Sequence, residues 1–525
     1  MQDQLDTPAE TANVPGEPSA ARRVAINAVS PFAAQLITKV LMLGYGVVQF
    51  RLVDSASLGW YILAALLFSY TSSIAEWGLG TLMSRDVARE RGTHTGQQLT
   101  NALFSDTLSL RLLLSLVLFL PVGLFTAIYL AFFGLSTAGA LSIGILTLSL
   151  LPSAFSGTVT ALLYGHERMS LPAVIGVATA ALNVTLGIGA LLLGWGVAGL
   201  AFAALLTTLV TSLVFASLLR RDFPDLRARL SMEAFRLSRT IALPLLKAGW
   251  PLMLNALLVG LFFRVDTFII GSLSPAAVAR YDAAYRFLNF VLLITPAVTL
   301  ALFPRMSRHA ANDRPRLLYE YTFALRVLSV AAVPLVSLTV WFSPLLVSVL
   351  TGGKSGYLPE SATALQILIF FLPFSFVNGL TQYVLIALDK QRLITRAFGF
   401  TVLFNVGANL LLVPLLGING AALTTVGSEI VLLCPFVLWV SRELGVRPGQ
   451  LLSTAAKPFA AGAGLALAIW LLWPLMWGWS TGLAALALYA AVGAGLFALY
   501  GACLYLLKPF NTAEMVTLKR AIHKN

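Results

Sequence analysis

Two stretches of this chain, about 220 residues apart, carry the same order of signals in sequence apolar enough for a membrane. Residues 151–157 read LPSAFSG and residues 372–379 read LPFSFVNG. Each leads into an apolar helix and a short polar break, GHERM at 165–169 and DKQR at 389–392. Each continues with a helix holding a central asparagine, Asn183 or Asn405, and a tight turn, GVAGLA at 196–201 or GINGAA at 417–422. Upstream, Tyr61 and Tyr281 open helices that end in Ser84-Arg85 and Ser307-Arg308. A duplicated membrane unit constrains the fold to two equivalent helical lobes. Many secondary transporters are built this way, with the substrate site between the copies; few enzymes are.

The composition agrees. The 525 residues are 58% apolar and 11% charged, with mean hydropathy +0.85. A spanning helix needs about 20 apolar residues, and about 14 runs qualify. They lie near 26–50, 58–82, 103–131, 141–163, 171–193, 197–219, 250–272, 280–303, 321–343, 362–388, 397–416, 418–440, 459–477 and 483–507. The expected class is an all-α polytopic membrane protein.

Basic residues orient it. With the N-terminus inside, about 29 of the 35 lysines and arginines fall on the cytoplasmic side, as the positive-inside rule requires. The outer side carries little besides Arg51, Arg280 and Lys354. One missed helix destroys this asymmetry. The net charge of +13 therefore reports orientation and contact with anionic lipid, and makes no case for nucleic acid.

Residues 1–21 are polar and acidic, a disordered cytoplasmic tail and not a signal peptide. Residues 22–219 hold one six-helix lobe and 250–441 the other, related by a pseudo-two-fold axis along the membrane normal. Between them, 220–249 sets Leu226, Leu230, Leu237 and Ile241 on one stripe among arginines, the pattern of a helix lying on the cytoplasmic surface. Residues 442–507 add helices 13 and 14, and 508–525 form a cytoplasmic tail with an interfacial pattern at Met515, Leu518 and Ile522. Both termini are expected inside.

Several chemistries drop out. Cys434 and Cys503 lie in apolar helices, so no disulfide framework exists. The four histidines have no metal spacing. GGKSG at 352–356 resembles the end of a phosphate-binding loop, but Ser348 replaces its first glycine and the segment lies outside the cell. No cofactor is implied. A membrane glycan polymerase or ligase is the alternative from a different class, and it requires a longer external loop than this chain has.

Ionisable groups at bilayer depth cost about 2.5–3.5 kcal/mol each even on permissive scales, so those present tend to face a cavity or a partner. They are Lys39 in helix 1, Glu76 in helix 2, Arg264 and Asp266 in helix 7, Asp282 and Arg286 in helix 8, and Glu429 in helix 12. Lys39 has no acidic residue within helical reach. It is either a cavity-facing cation or half of a pair with another helix. Asp282 and Arg286 have i,i+4 spacing, and Asp266 is placed to satisfy either arginine across the hairpin. Arg264 and Arg286 thus read equally as a structural salt bridge or a substrate site. Glu76 and Glu429 are candidate coupling carboxylates; the bland readings are a cap or pair at the inner end for Glu76 and a protonated packing contact for Glu429. The coupling ion, proton or sodium, stays open. Asn183 and Asn405 read as interhelical glue. A cavity of net positive charge suits an anionic headgroup, which Arg grips as a planar fork and Lys as a point charge.

Two runs carry a family resemblance. LGWYILAALLFSYTSSIAEWGLGTLMSRDVAR at 58–89 and the run from PLLKAGWPLMLNALLVGLFFRVDTFIIG to LALFPRMSR at 244–308 resemble the polysaccharide-transporter signature. The resemblance covers about 22–507. That family belongs to the multidrug/oligosaccharidyl-lipid/polysaccharide exporter superfamily and includes the O-antigen flippases. It implies two six-helix lobes in a V around a central cavity. Helices 13 and 14 are similar to the extra pair of oligosaccharide-lipid and lipid II flippases. The implied activity is flipping a polyprenyl-diphosphate-linked oligosaccharide to the outer leaflet of a bacterial or archaeal plasma membrane. The implied partners are that lipid, membrane lipids, and glycan polymerase and glycosyltransferases. The family's cationic cavity maps onto Lys39, Arg264 and Arg286, with Asp266 at its helix 7 aspartate. The rivals within transport are a lipid II flippase and a multidrug/cation antiporter, the latter needing a net acidic cavity.

Overall fold

A computed structural model describes residues 20–90, 96–223, 238–292, 294–476, 483–510 and 514–515. Every regular element among them is helical. The first copy runs α1 (Ala20–Leu52), α2 (Ser55–Glu76), α3 (Leu79–Glu90), α4 (Gly96–Phe132), α5 (Thr137–Leu148), α6 (Leu150–Gly165), α7 (Ser170–Leu192) and α8 (Gly196–Asp222). The second runs α9 (Arg239–Leu273), α10 (Pro275–Val291), α11 (Ile294–Asn312), α12 (Arg314–Thr351), α13 (Glu360–Leu368), α14 (Phe371–Ala387), α15 (Gln391–Leu416) and α16 (Ile418–Leu444). α17 (Pro448–Ser453), α18 (Ala456–Met476) and α19 (Leu483–Leu507) follow.

Twelve helical segments among the described residues are long and apolar enough to cross a membrane, which makes this a multi-pass membrane protein. The expected fourteen is not reached by that measure. The run at 280–303 is divided between α10 and α11. The run at 459–477 falls in α18, an apolar helix of 21 residues whose side chains are only partly among the described ones.

The duplication is visible element by element. The second span of each copy is broken, into α2 and α3 or α10 and α11, and so is the fourth, into α5 and α6 or α13 and α14. Local chemistry sets the first break. Trp77 and Gly78 turn left-handed, at φ 50 and 72, and end α2. The Glu76 carboxylate then accepts the N–H groups of Gly78 and Gly80, each at 2.9 Å, and caps α3. The breaks after α6 and α14 place Glu167 and Asp389 at φ 59 and 58, matched positions in the two copies. Equivalent pairs also pack: α1 on α7 and α9 on α15, α3 on α6 and α11 on α14, α7 on α8 and α15 on α16.

The copies meet where α2 lies along α9 and α10 and where α1 reaches α12. One apolar core runs through this seam, from Leu58 and Trp60 in α2 through Tyr281 and Tyr285 in α10 to Phe436 in α16. A second core fills the other end of the first copy with Leu79, Met83, Leu108 and Leu162, and Ala242 and Leu245 of α9 complete it. The stretch 220–249, expected to lie on the membrane surface, therefore ends differently. From Arg239 it is already the transmembrane helix α9, and Ile241 packs against the buried cluster. Apolar burial against α3 and α4 outweighs interfacial placement there. Asp106 fixes the start of α9 by accepting the Ser238 N–H at 2.8 Å. The other stripe residues, Leu226, Leu230 and Leu237, lie outside the described residues, as do 1–19 and most of 511–525. α18 and α19 pack on α12 through Val333, Trp341, Leu465 and Tyr500, whose hydroxyl donates to Val330 O at 3.1 Å.

Candidate functional site

A cavity of about 280 Å³ lies between α2, α9 and α10. Tyr61, Ile62, Ala65 and Ser69 of α2 line one side; Arg264, Asp282, Arg286 and Asn289 line the other. Its two arginines share one carboxylate. Arg264 Nη1 donates to Asp282 Oδ1 at 3.1 Å, and Arg286 Nε donates to Asp282 Oδ2 at 2.9 Å. The i,i+4 spacing delivers Arg286 to Asp282, and Arg264 arrives from α9. The Arg264 guanidinium rests 4.1 Å over the Tyr285 ring, whose hydroxyl is anchored on Phe263 O at 3.0 Å. Arg286 also reaches the first copy. Its Nη2 donates to Gln49 Oε1 at 3.4 Å, and it fits against Gly46, where a Cβ would stand 3.2 Å from Nη1. The arginine side chains keep 22% and 23% exposure toward the cavity against 6% for Asp282. Two cations against one anion leave this wall net positive.

Lys39 sits on α1 seven residues before Gly46, about 10 Å nearer the N-terminal end of that helix by helical rise. It is partly exposed, and no ion pair or hydrogen bond among the described residues involves it. The charges of Arg264 and Arg286 reach it. The three expected cations thus share one electrostatic region, two on the cavity wall and one below it.

Asp266 is held elsewhere. It is 2% exposed and accepts the Tyr281 hydroxyl, the Thr267 N–H at 2.7 Å and the Thr425 hydroxyl at 3.4 Å. The arginines it was expected to satisfy use Asp282 instead. Two residues along a helix turn about 200°, so Arg264 and Asp266 point to opposite sides of α9. Glu76 and Glu429 are also off the cavity wall. Glu76 caps α3, and Glu429, 1% exposed, accepts Asn378 Nδ2 at 2.6 Å. Asn405 bonds Ser428 Oγ at 2.9 Å, as interhelical glue should, whereas Asn183 Oδ1 has no partner among the described residues.

The sequence reading passed over Arg111 in α4. It is 7% exposed, lies within the field of Glu76, and presses on Gly157, where a Cβ would stand 2.5 Å from Nη2. Its place inside the run 103–131 was the available signal.

The fold is shared by solved membrane transporters. A lipid II flippase MurJ in an inward closed conformation superposes with TM-score 0.70 at 14% identity, covering 90% of this chain and 98% of that one. An inward-facing multidrug resistance MATE family transporter of the MOP superfamily gives 0.58 at 20% identity, covering 80% and 98%. A MOP superfamily transporter from Pyrococcus furiosus, reported with a binding pocket of reverse polarity, gives 0.55 at 18%, covering 81% and 96%. These likenesses define the class by fold: a two-copy helical architecture of the MOP type. No curated protein matches the chain. The family model described as polysaccharide biosynthesis protein matches residues 24–310, more than half of the sequence, and the MatE model matches 251–411. The chain belongs to the polysaccharide biosynthesis protein family.

Proposed function

We propose that this protein is a flippase and not an enzyme, moving a polyprenyl-diphosphate-linked oligosaccharide from the cytoplasmic to the outer leaflet by alternating access. One observation carries the reading: Arg264 and Arg286 share the single carboxylate of Asp282 on the wall of a cavity between the copies. Each guanidinium gives Asp282 one N–H and keeps others for phosphate oxygens, which a planar fork matches well. Lys39, without an anionic partner among the described residues, adds a point charge on the approach from the cytoplasm. Ile62, Ala65 and Leu66 offer the same cavity an apolar side suited to a lipid stem. An exporter of cationic drugs needs the opposite charge balance. The lipid II reading keeps a place because the MurJ likeness extends over 90% of the chain.

The reading sets the protein in a plasma membrane with both termini in the cytoplasm, working beside glycosyltransferases and a glycan polymerase. Glu429 and Glu76 are the carboxylates to examine for ion coupling. The decisive test is reconstitution. Proteoliposomes carrying a fluorescent lipid-linked oligosaccharide should lose inner-leaflet signal faster than protein-free vesicles, and Lys39→Ala and Arg264→Gln should slow that loss without lowering the yield of folded protein. Equal rates with and without protein refute the reading.

A further inference from the structure

The few basic residues expected on the outer side are exceptions to the charge asymmetry, and all three are engaged. Arg280 pairs with Glu360 inside the second copy. The other two join the copies. Arg51, at the end of α1, donates Nη2 to Val349 O at 2.6 Å, in the last turn of α12. Lys354, in the loop after α12, donates Nζ to Val53 O at 2.9 Å, just past α1. Each copy thus lends a cation to the C-terminal carbonyls of a helix in the other. Those carbonyls lack helical partners and carry the negative end of the helix dipole. Phe50 and Tyr357 meet edge-on at 5.6 Å beside the clasp. Gly352, at φ 69, brings the end of α12 onto the Arg51 stem.

Opening the mouth on this side has to part both bonds. One carboxylate, Asp54, lies within the field of Lys354, and none among the described residues pairs with Arg51. Among the described residues neither cation forms an ion pair, and Asp54 spends its carboxylate capping α2 through the Ser57 N–H at 2.8 Å. Parting therefore frees a guanidinium, and an ammonium with a single carboxylate nearby, at the rim at the moment an anion has to leave. Phosphate oxygens are stronger acceptors for both groups than carbonyls.

We propose that Arg51 and Lys354 are an exit subsite for the diphosphate headgroup: they hold carbonyls of the opposite copy when the mouth is closed and phosphate oxygens when it is open. The proposal rests on the diphosphate-linked substrate proposed above. It makes opening cargo-dependent, because an anion that binds only the open state shifts the population toward it.

The test places spin labels at Ser55→Cys and Ser274→Cys, on the two sides of the mouth, in protein held in nanodiscs. Farnesyl diphosphate, inorganic pyrophosphate and farnesol are the probes. Both diphosphates should raise the long-distance population and farnesol should not. If farnesyl diphosphate acts and pyrophosphate does not, the headgroup alone is not what is read, and the subsite is wrong. R51Q/K354Q should rest more open than the parent, by about tenfold in the open-to-closed ratio, as two neutral donors replace two charged ones. Its response to diphosphate should need at least tenfold more probe. R51K/K354R, which keeps both charges, should restore closure and response. A double variant that responds at parental concentrations sinks the exit subsite and leaves the flippase reading standing. A parent protein unmoved by farnesyl diphosphate, and showing no binding of it from either face, sinks both.

Discussion

Replacing Asp282 by Asn removes the only anion between two guanidinium groups. Asp282 is 4% exposed and receives Arg264 at 3.1 Å and Arg286 at 2.9 Å. Breaking a buried pair by removing one partner costs about 3–5 kcal/mol, mostly for the charge left behind. The arginine side chains keep 22% and 23% exposure to the cavity, so water recovers part of that loss. The expected destabilisation for Asp282→Asn is at the lower end, about 3 kcal/mol. Arg264→Gln and Arg286→Gln should cost far less, about 1 kcal/mol each, since either leaves Asp282 with a cation. Removing both strands the carboxylate, so the double variant should exceed the sum of the singles by about 1–2 kcal/mol. Denaturant or thermal unfolding of the purified proteins in one detergent, read by intrinsic fluorescence, gives all four losses relative to the parent. Additive single and double losses, or a neutral Asp282→Asn, would show that the carboxylate is not shared.

Other outcomes follow from individual contacts. Cysteines at Thr137 and Ser355 should react with an impermeant reagent added outside cells, and cysteines at Glu167 and Asp389 should not; the reverse pattern overturns the orientation. Gly59→Ala sets a Cβ 1.7 Å from Pro275 O, so it should force α2 and α10 apart and lengthen the Ser55–Ser274 distance, and an unchanged distance contradicts the seam. Glu167→Gly and Asp389→Gly relieve left-handed backbone in the two matched turns, and each should raise unfolding stability by up to about 1 kcal/mol; a loss in both would show that their side chains matter more than their backbones. Glu429→Gln keeps the shape that meets Asn378, so it should melt near the parent temperature; if Glu429 carries the coupling proton, translocation in the variant loses its dependence on a pH gradient, and an intact dependence removes Glu429 from coupling.

The duplication was legible as a repeated order of motifs, most of the spans as apolar runs, and the Asp282–Arg286 pair as i,i+4 spacing along one helix. The partner of Arg264 was not, because it depends on which side of α9 faces α10. The two-residue offset between Arg264 and Asp266 already put them on opposite faces, a signal that depth along the helix does not contain. The break at Trp77–Gly78 was hidden for another reason. No proline marks it, and its cap is an acidic residue that reads equally well as a charge in a continuous helix. Arg111 escaped notice because it lies in a mostly apolar run, with its counter-charge, Glu76, on a different helix. The start of α9 was misplaced because its arginines outweighed Ala242 and Leu245, whose burial partners come from the first copy.

That last arrangement bears on how such a chain can arise. The opening turns of α9 are structurally part of the first copy, while Phe262 and Ile270 further along belong to the core shared across the seam. A gene cut between the copies, within 224–237, leaves a first half with an unfilled core and a second half with a bare apolar helix end. The two pieces should be stable only when made together in one membrane. A single copy paired with its twin in this way would have to donate the start of its first helix to the other, as in a strand-exchanged dimer, and fusion into one chain makes such an exchange independent of concentration.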